Sequence, residues 1–381
     1  MMISEFMRLK ATQGLRLTSR ISLLLLLAIM SMNSFAGGSN GEKFKPGEMI
    51  LHHIGDGHDW HILDYDGADG EKHALSLPLP IIVYADGQGL SVFMSSAFDH
   101  GKKAHNGYRL LTDDYIAHAG LDKKDFSAGK IVAVDAQDHV VAGTYVWDLS
   151  ITKNVAALLF SIIVMAWLFL SVAKTYKRRA GLAPKGLQNL LEIVILFVRD
   201  DIARPSIGEK KYEKFMPYLL TLFFFIWINN ILGLIPILPG GANVTGAIAV
   251  PIVLATFTFV IMNINGSKHY WGHIFNMPGV PKPILLIVTP IEILGIFIKP
   301  LVLIIRLFAN ITAGHIVLLV FFSLIFIAGE AYAALGWGVS VASVAFTIFL
   351  NCLELLVGAI QAYVFTLLSA IYFGMAVEES H

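Results

Sequence analysis

The chain has 381 residues, of which 56% are hydrophobic and 15% charged, too apolar for a soluble globular domain of ordinary composition. The formal net charge of +0 gives no sign of a nucleic-acid surface, so what matters is where along the chain the cations fall. The single cysteine, Cys352, excludes an intrachain disulfide and, lying in an apolar stretch, reads as a buried, inert side chain.

Arg8, Lys10, Arg16 and Arg20 precede a short apolar run from Ile21 to Met30 and then Ser34-Phe35-Ala36. This reads as a secretory signal, 1–36, with cleavage after Ala36; a retained signal is the alternative, although the run is shorter than the roughly 20 residues a bilayer crossing needs. From 37 to 147 the composition turns polar, with no window apolar enough to span. Alternating runs at Ile81 to Tyr84, Leu90 to Met94 and Lys130 to Val134, with the turn signal Ala85-Asp86-Gly87, predict a small, mainly β extracytoplasmic domain.

Residues 148–381 read as a membrane domain. A first span, Ile151 to Val172, is followed by Lys174, Lys177, Arg178, Arg179 and Lys185, which places that flank in the cytoplasm and the N-terminal domain outside. Gly186 to Phe197 is amphipathic. Further spans are expected at 215–238, carrying Asn229-Asn230, and at 245–264, after a turn at Pro239 to Asn243. A cytoplasmic loop, Asn265 to Pro283, holds Lys268, His269, His273 and Lys282. Two overlong apolar stretches follow, 284–328 with Pro290 and Pro300 inside it, and 339–376, separated by a glycine-containing turn from Gly329 to Gly338. Each is too long for one perpendicular crossing, which implies a tilted helical hairpin, or two spans in the first stretch, packed on another protein surface. The architecture is thus an all-α polytopic membrane protein with a cytoplasmic C-terminus.

Arg306 is the decisive residue. A guanidinium inside Pro300-Leu-Val-Leu-Ile-Ile-Arg-Leu-Phe-Ala-Asn310 costs roughly 2.5 kcal/mol or more and cannot be relieved by deprotonation. It needs a partner or a watery cavity, unless it snorkels from a helix end. Asn310, four residues on, shares its face; His315, nine residues on, points to nearly the opposite side. Glu354 and Gln361 lie seven apart on one face of the last helix, with Tyr372 near the same stripe. Glu292, Lys299 and Arg306 also recur every seven residues, with Pro300 a possible break. The competing readings are a buried hydrogen-bonded pair for His315 and Glu354, and helix-to-helix contacts for Gln361, Asn229, Asn230 and Tyr372.

The run Lys299-Pro300 to Arg306-Leu307-Phe308-Ala309-Asn310 with Ala313-Gly314-His315 resembles the signature helix of the subunit a family of rotary F-type ATP synthases, with Ala309 where the family usually has Gly. Gln361-Ala-Tyr-Val-Phe365 and Phe225 to Pro236 with Ala242-Asn243-Val244-Thr245 extend the resemblance, which covers Leu149 onward. In some relatives an acid occupies the place of His315 and a histidine that of Glu354, so the resemblance implies that the two touch. It further implies a stator with two aqueous half-channels that meet a rotating ring of c subunits. Arg306 would face the ring carboxylate, with Asn310, His315 and Glu354 in the outer half-channel, Gln361 near Arg306 and Glu292 in the inner one; Asn230, Lys299 and Tyr372 are further candidates. Implied partners are the c-ring, the subunit b stalk, the rest of the synthase and membrane lipid, in the cell inner membrane, with no cofactor.

Two other readings start from the same residues. A secondary transporter would use Arg306 to bind an anionic substrate, but few polar residues surround it and no internal repeat is evident. An intramembrane hydrolase built on His315 and Glu354 would need a nucleophile or a metal set, and there is no zinc motif or Gly-x-Ser-x-Gly elbow. No glycine-rich phosphate loop is present, so a non-catalytic subunit without a nucleotide site is expected. The N-terminal domain holds nine of the thirteen histidines, including His52, His53, His58 and His61 with Asp56, Asp59 and Asp64 nearby. Their spacing fits no standard metal motif, so they read as solvated surface residues.

Overall fold

The computed structural model describes residues 45–66, 72–122, 124–141, 143–235, 240–277 and 280–378. The expected signal peptide, the expected end of the second span at 236–238 and the tail at 379–381 lie outside them. A helix α1 (Pro46–Ile54), with Pro at its first position as helices tolerate, opens the N-terminal domain. Strands β1 (Asp59–Asp66) and β2 (Lys72–Pro78) form an antiparallel pair, from Asp59 opposite Pro78 to Asp66 opposite Lys72. An irregularity between His61 and Leu63 breaks the two-residue alternation there, which is why the sequence pattern did not announce this pair.

A three-stranded antiparallel sheet follows in the order β4 (Gly89–Met94), β3 (Pro80–Ala85), β7 (Val146–Asp148). Ile81, Val83 and Ala85 alternate inward on β3 and are fully buried with Phe98 and Tyr108. Gly87 takes the positive φ that the β3–β4 turn requires. A smaller pair, β5 (Tyr108–Leu110) and β6 (Ile131–Ala133), frames a short helix α2 (Asp113–His118) capped by Thr112. The three expected strands thus fall on β3, β4 and β6. His58 departs from its reading as a solvated side chain: it is buried, and its Nε2 lies 2.7 Å from Asp148 Oδ2.

The rest of the chain is helical: α3 (Lys153–Arg178), α4 (Leu187–Phe197), a π-helical turn Val198–Ala203, α5 (Arg204–Ile207), α6 (Tyr212–Leu234), α7 (Ala249–Ile264), α8 (Lys268–Phe275), α9 (Lys282–Ala331) and α10 (Ala333–Val377). Among the described residues α3, α6, α9 and α10 are long and apolar enough to cross a membrane. The expected third span is shorter than its sequence suggested. Helix α7 has only 16 residues and becomes a fifth candidate only if joined to α8, from which it is bent by 100°. The loop expected at Asn265 to Pro283 therefore contains a helix, capped by Ser267.

The two overlong stretches are single helices of 50 and 45 residues, about 75 and 68 Å long against a hydrocarbon core of about 30 Å. Pro290 and Pro300 sit inside α9 without ending it, so neither a break nor two spans results. The hairpin is antiparallel: Phe321 packs on Phe346 with ring centroids 4.4 Å apart. Its turn is one extended residue, Tyr332, and a Cβ on Gly336 would stand 2.8 Å from the Gly329 Cα. The expected turn was longer; Gly338 belongs to α10.

Helix α6 is the central post. Its Phe215 ring stacks on Phe373 of α10 at 4.8 Å. The Tyr218 hydroxyl lies 2.8 Å from Thr258 Oγ1 of α7, which lies 3.3 Å from Ser369 Oγ of α10. At one end of α10, Lys211 Nζ donates to Val377 O, and Ser267 donates from its amide to Ala376 O and from its hydroxyl to Glu378 O. Gly374 lies so close to the Ser206 carbonyl that any side chain would collide with it. Cys352 is exposed on α10 rather than buried.

Candidate functional site

Three helices and a loop enclose one polar cavity. Helix α6 contributes Asn229 and Asn230, the loop 240–246 contributes Asn243 and Thr245, α9 contributes His315 and α10 contributes Glu354. About 10 Å³ is open to a water centre, room for roughly one molecule. Apolar runs can converge this tightly because each carries a glycine at the crossing. A Cβ on Gly314 would stand 3.1 Å from Glu354 Oε1, one on Gly358 would stand 3.0 Å from Asn230 Cβ, and one on Gly233 would stand 3.3 Å from Ala242 O.

Part of this polar group is fully bonded. Thr245 Oγ1 donates to Asn230 Oδ1 at 2.6 Å, and Asn230 Nδ2 donates to the Gly358 carbonyl at 3.0 Å, tying loop, α6 and α10 together. Glu354 differs. His315 Nδ1 stands 3.2 Å from its Oε1, yet off the direction of a hydrogen bond, so both carboxylate oxygens lack a hydrogen-bond partner among the described residues. Asn229 Oδ1 is in the same condition. A buried carboxylate at 8% exposure with open lone pairs beside a water-sized space is costly as structure. It is suited to exchanging a proton with a neighbouring imidazole or a water.

The opposite face of α9 is built differently. Leu303, Leu307 and Ile311, the last of which lines the cavity, are buried, whereas on this other face Arg306 and Asn310 are exposed one turn apart. Among the described residues Arg306 makes no ion pair with a carboxylate and no hydrogen bond with Gln361, which is buried on α10. The structure therefore brings His315 to Glu354 and leaves Arg306 and Asn310 on an open surface.

The remaining candidates lie toward the other end of the hairpin. Lys299 Nζ sits 5.7 Å from the centre of the Tyr372 ring. Glu292 Oε1 lies 3.9 Å from His273 Nδ1 of α8, a histidine assigned no role from the sequence. Asn243, Thr245 and the three glycines were also left without a role. Single glycines inside apolar runs were the signal available for them, since small residues mark where membrane helices approach closely. Among the described residues no three His, Cys, Asp or Glu side chains converge as a metal site.

These features define a polytopic helical membrane protein with a titratable pair in a polar cavity and a permanent cation on the open face of the same hairpin. The family model of the ATP synthase A chain matches residues 155–374, and the chain belongs to that family. Residues 49–149 match a family described only as a domain of unknown function. Relatives include ATP synthase subunit a 2 of Chlorobaculum tepidum, 43% identical over 277 residues, which covers 70% of this chain and 74% of that one. ATP synthase subunit a of Chlorobium phaeobacteroides is 41% identical over 81% of this chain and 91% of its own length. ATP synthase subunit a 2 of Prosthecochloris aestuarii is 37% identical over 81% and 94%.

Proposed function

We propose that the chain is the proton-translocating subunit a of an F-type ATP synthase membrane sector, a non-catalytic stator in the cell inner membrane. The observation that carries this reading is the division of labour across one hairpin. Glu354 and His315 face a closed polar cavity, while Arg306 and Asn310 face outward on the other side of α9.

The open face is where a ring of c subunits passes. A ring carboxylate crosses lipid cheaply only when protonated, so a fixed guanidinium makes it ionise on arrival, and it takes up a proton again before moving on. Arg306 cannot itself release a proton, and its charge blocks a direct leak between the two paths. His315 and Glu354 hand protons through the cavity from the outer side, with Asn310 in the same half-channel; Asn230 holds the cavity wall, and Gln361 acts near Arg306. Glu292, with His273 beside it and Lys299 and Tyr372 nearby, belongs to the inner half-channel. The cation cluster after α3 supports an orientation with that flank in the cytoplasm, the N-terminal domain outside and the end of α10 in the cytoplasm. A subunit b stalk holds the chain against the turning ring, and nucleotide chemistry takes place on other subunits.

The test is Arg306→Ala in the assembled complex in vesicles. ATP-driven proton pumping is expected to vanish while the complex still assembles. Retained coupled pumping would overturn the assignment.

A further inference from the structure

We propose that the N-terminal domain forms part of the rigid wall of the Glu354 cavity, with Trp60 as its positioning residue; this rests on the reading of that cavity as the outer half-channel. Trp60 on β1 is buried against Ala157 of α3 and against Ala242 and Val244 of the loop 240–246. That loop is the cavity's fourth side. Ala242 itself touches both the indole cluster and the cavity, and Asn243 and Thr245, which alternate with the indole contacts, line the cavity. One layer of small side chains therefore separates Trp60 from the space beside Glu354.

The domain is also fastened so that the indole has a fixed base. The hydroxyl of Thr152, at the start of α3, makes no cap bond; the Asn154 amide instead donates to Asp56 Oδ1 at 3.0 Å, across 98 residues of sequence. Lys153 donates from its amide to Gly57 O at 2.8 Å, and the amides of Leu149 and Ile151 donate to Ile82 O and Pro80 O, so hydrogen bonds to β3 reach within two residues of α3. Helix α1 packs on α9, the helix that carries Gly314 and His315. The domain is thus fastened to the first span, to the loop and to the hairpin, and the loop is the piece with the least helix of its own.

Position matters here because the Thr245 bond to Asn230 sets the cavity wall, and a shift of the loop by an ångström changes the distances across which a proton passes. The test measures proton flux per assembled complex in vesicles. Trp60→Ala is expected to lower it on the order of tenfold, with most of the loss recovered in Trp60→Phe. Leu90→Ala, on an exposed strand face that contributes nothing to the indole cluster, is expected to leave flux unchanged. If Trp60→Ala reduces the amount of complex, Trp60→Leu is measured in its place, again per complex. Full flux in the Trp60 variant, no recovery with Phe, or an equal loss in Leu90→Ala overturns the proposal. Glu354→Gln separates the two levels: full flux there removes the cavity reading, whereas its loss beside an unaffected Trp60→Ala removes only the role of the domain.

Discussion

Two of the protein's imidazole and carboxylate pairs are in opposite states. In the N-terminal domain His58 Nε2 lies 2.7 Å from Asp148 Oδ2, and the Ser150 amide donates to the other oxygen at 2.9 Å. Burial works against the Asp148 charge, but the bonds from His58 and Ser150 outweigh it and hold the carboxyl down at about 2. In the membrane domain His315 stands 3.2 Å from Glu354 without hydrogen-bond geometry, and neither carboxylate oxygen has a hydrogen-bond partner among the described residues. The first pair has every reason to stay as it is. The second has open carboxylate lone pairs and a water-sized space beside them, which is what proton hand-over requires. The same two side-chain types form a clasp where they are saturated and, in the function proposed here, a relay where they are not.

The comparison breaks most visibly at Glu354. Glu354→Gln is expected to cut coupled proton flux by about 100-fold or more, the range for losing an acid–base group, measured as acidification of vesicles by the assembled complex. Exchanging the pair, His315→Glu with Glu354→His, keeps one acid and one imidazole at the same crossing. It is expected to recover flux to within about tenfold of the unaltered protein; a double variant no better than Glu354→Gln would show that the relay depends on which helix holds the acid. Gly314→Ala is gentler. Its Cβ would press on Glu354 Oε1 from 3.1 Å, so a loss of roughly threefold is expected, with assembly unchanged.

The clasp gives the smallest effect. His58→Ala is expected to leave proton flux near normal and to weaken the N-terminal domain by about 1 kcal/mol, read as faster hydrogen exchange in β3 and β7. Because the Asp148 pKa is lowered from 3.8 to about 2 on folding, its stabilisation is present in full above about pH 4 and is lost as pH falls through about 2. Exchange rates in those strands, each divided by the intrinsic rate of an unprotected amide at the same pH, should therefore stay flat on acidification to about pH 4 and rise below it. A rise nearer neutrality would show that Asp148 is not the group that counts.

The membrane helices were legible because only a helix satisfies the backbone of a segment within itself in lipid, so a long apolar run announces its own structure. The same physics misled at Pro290 and Pro300, which would end a helix in water but are carried within α9. The length of α7 was overestimated because Thr245 to Ile248 is as apolar as a span, yet these residues are used in the cavity wall and the turn before it. Within the site, spacing along one helix was enough to put Arg306 and Asn310 together and His315 apart from them. The meeting of His315 with Glu354 joins two residues 39 positions apart on different helices, and no periodicity within either helix encodes it; it came from the resemblance. His58 was misjudged for a related reason, because its partner lies 90 residues away.

The close seat of Gly374 on Ser206, with the carbonyls of Ala376, Val377 and Glu378 bonded to Lys211 and Ser267, also has a meaning in time. The ribosome makes residues 374–378 only after every helix they fasten has left it. Helices α6, α7 and α8 therefore find one another before their common latch exists. During that interval the polar side chains of Asn229 and Asn230 lack the α10 wall that later covers them.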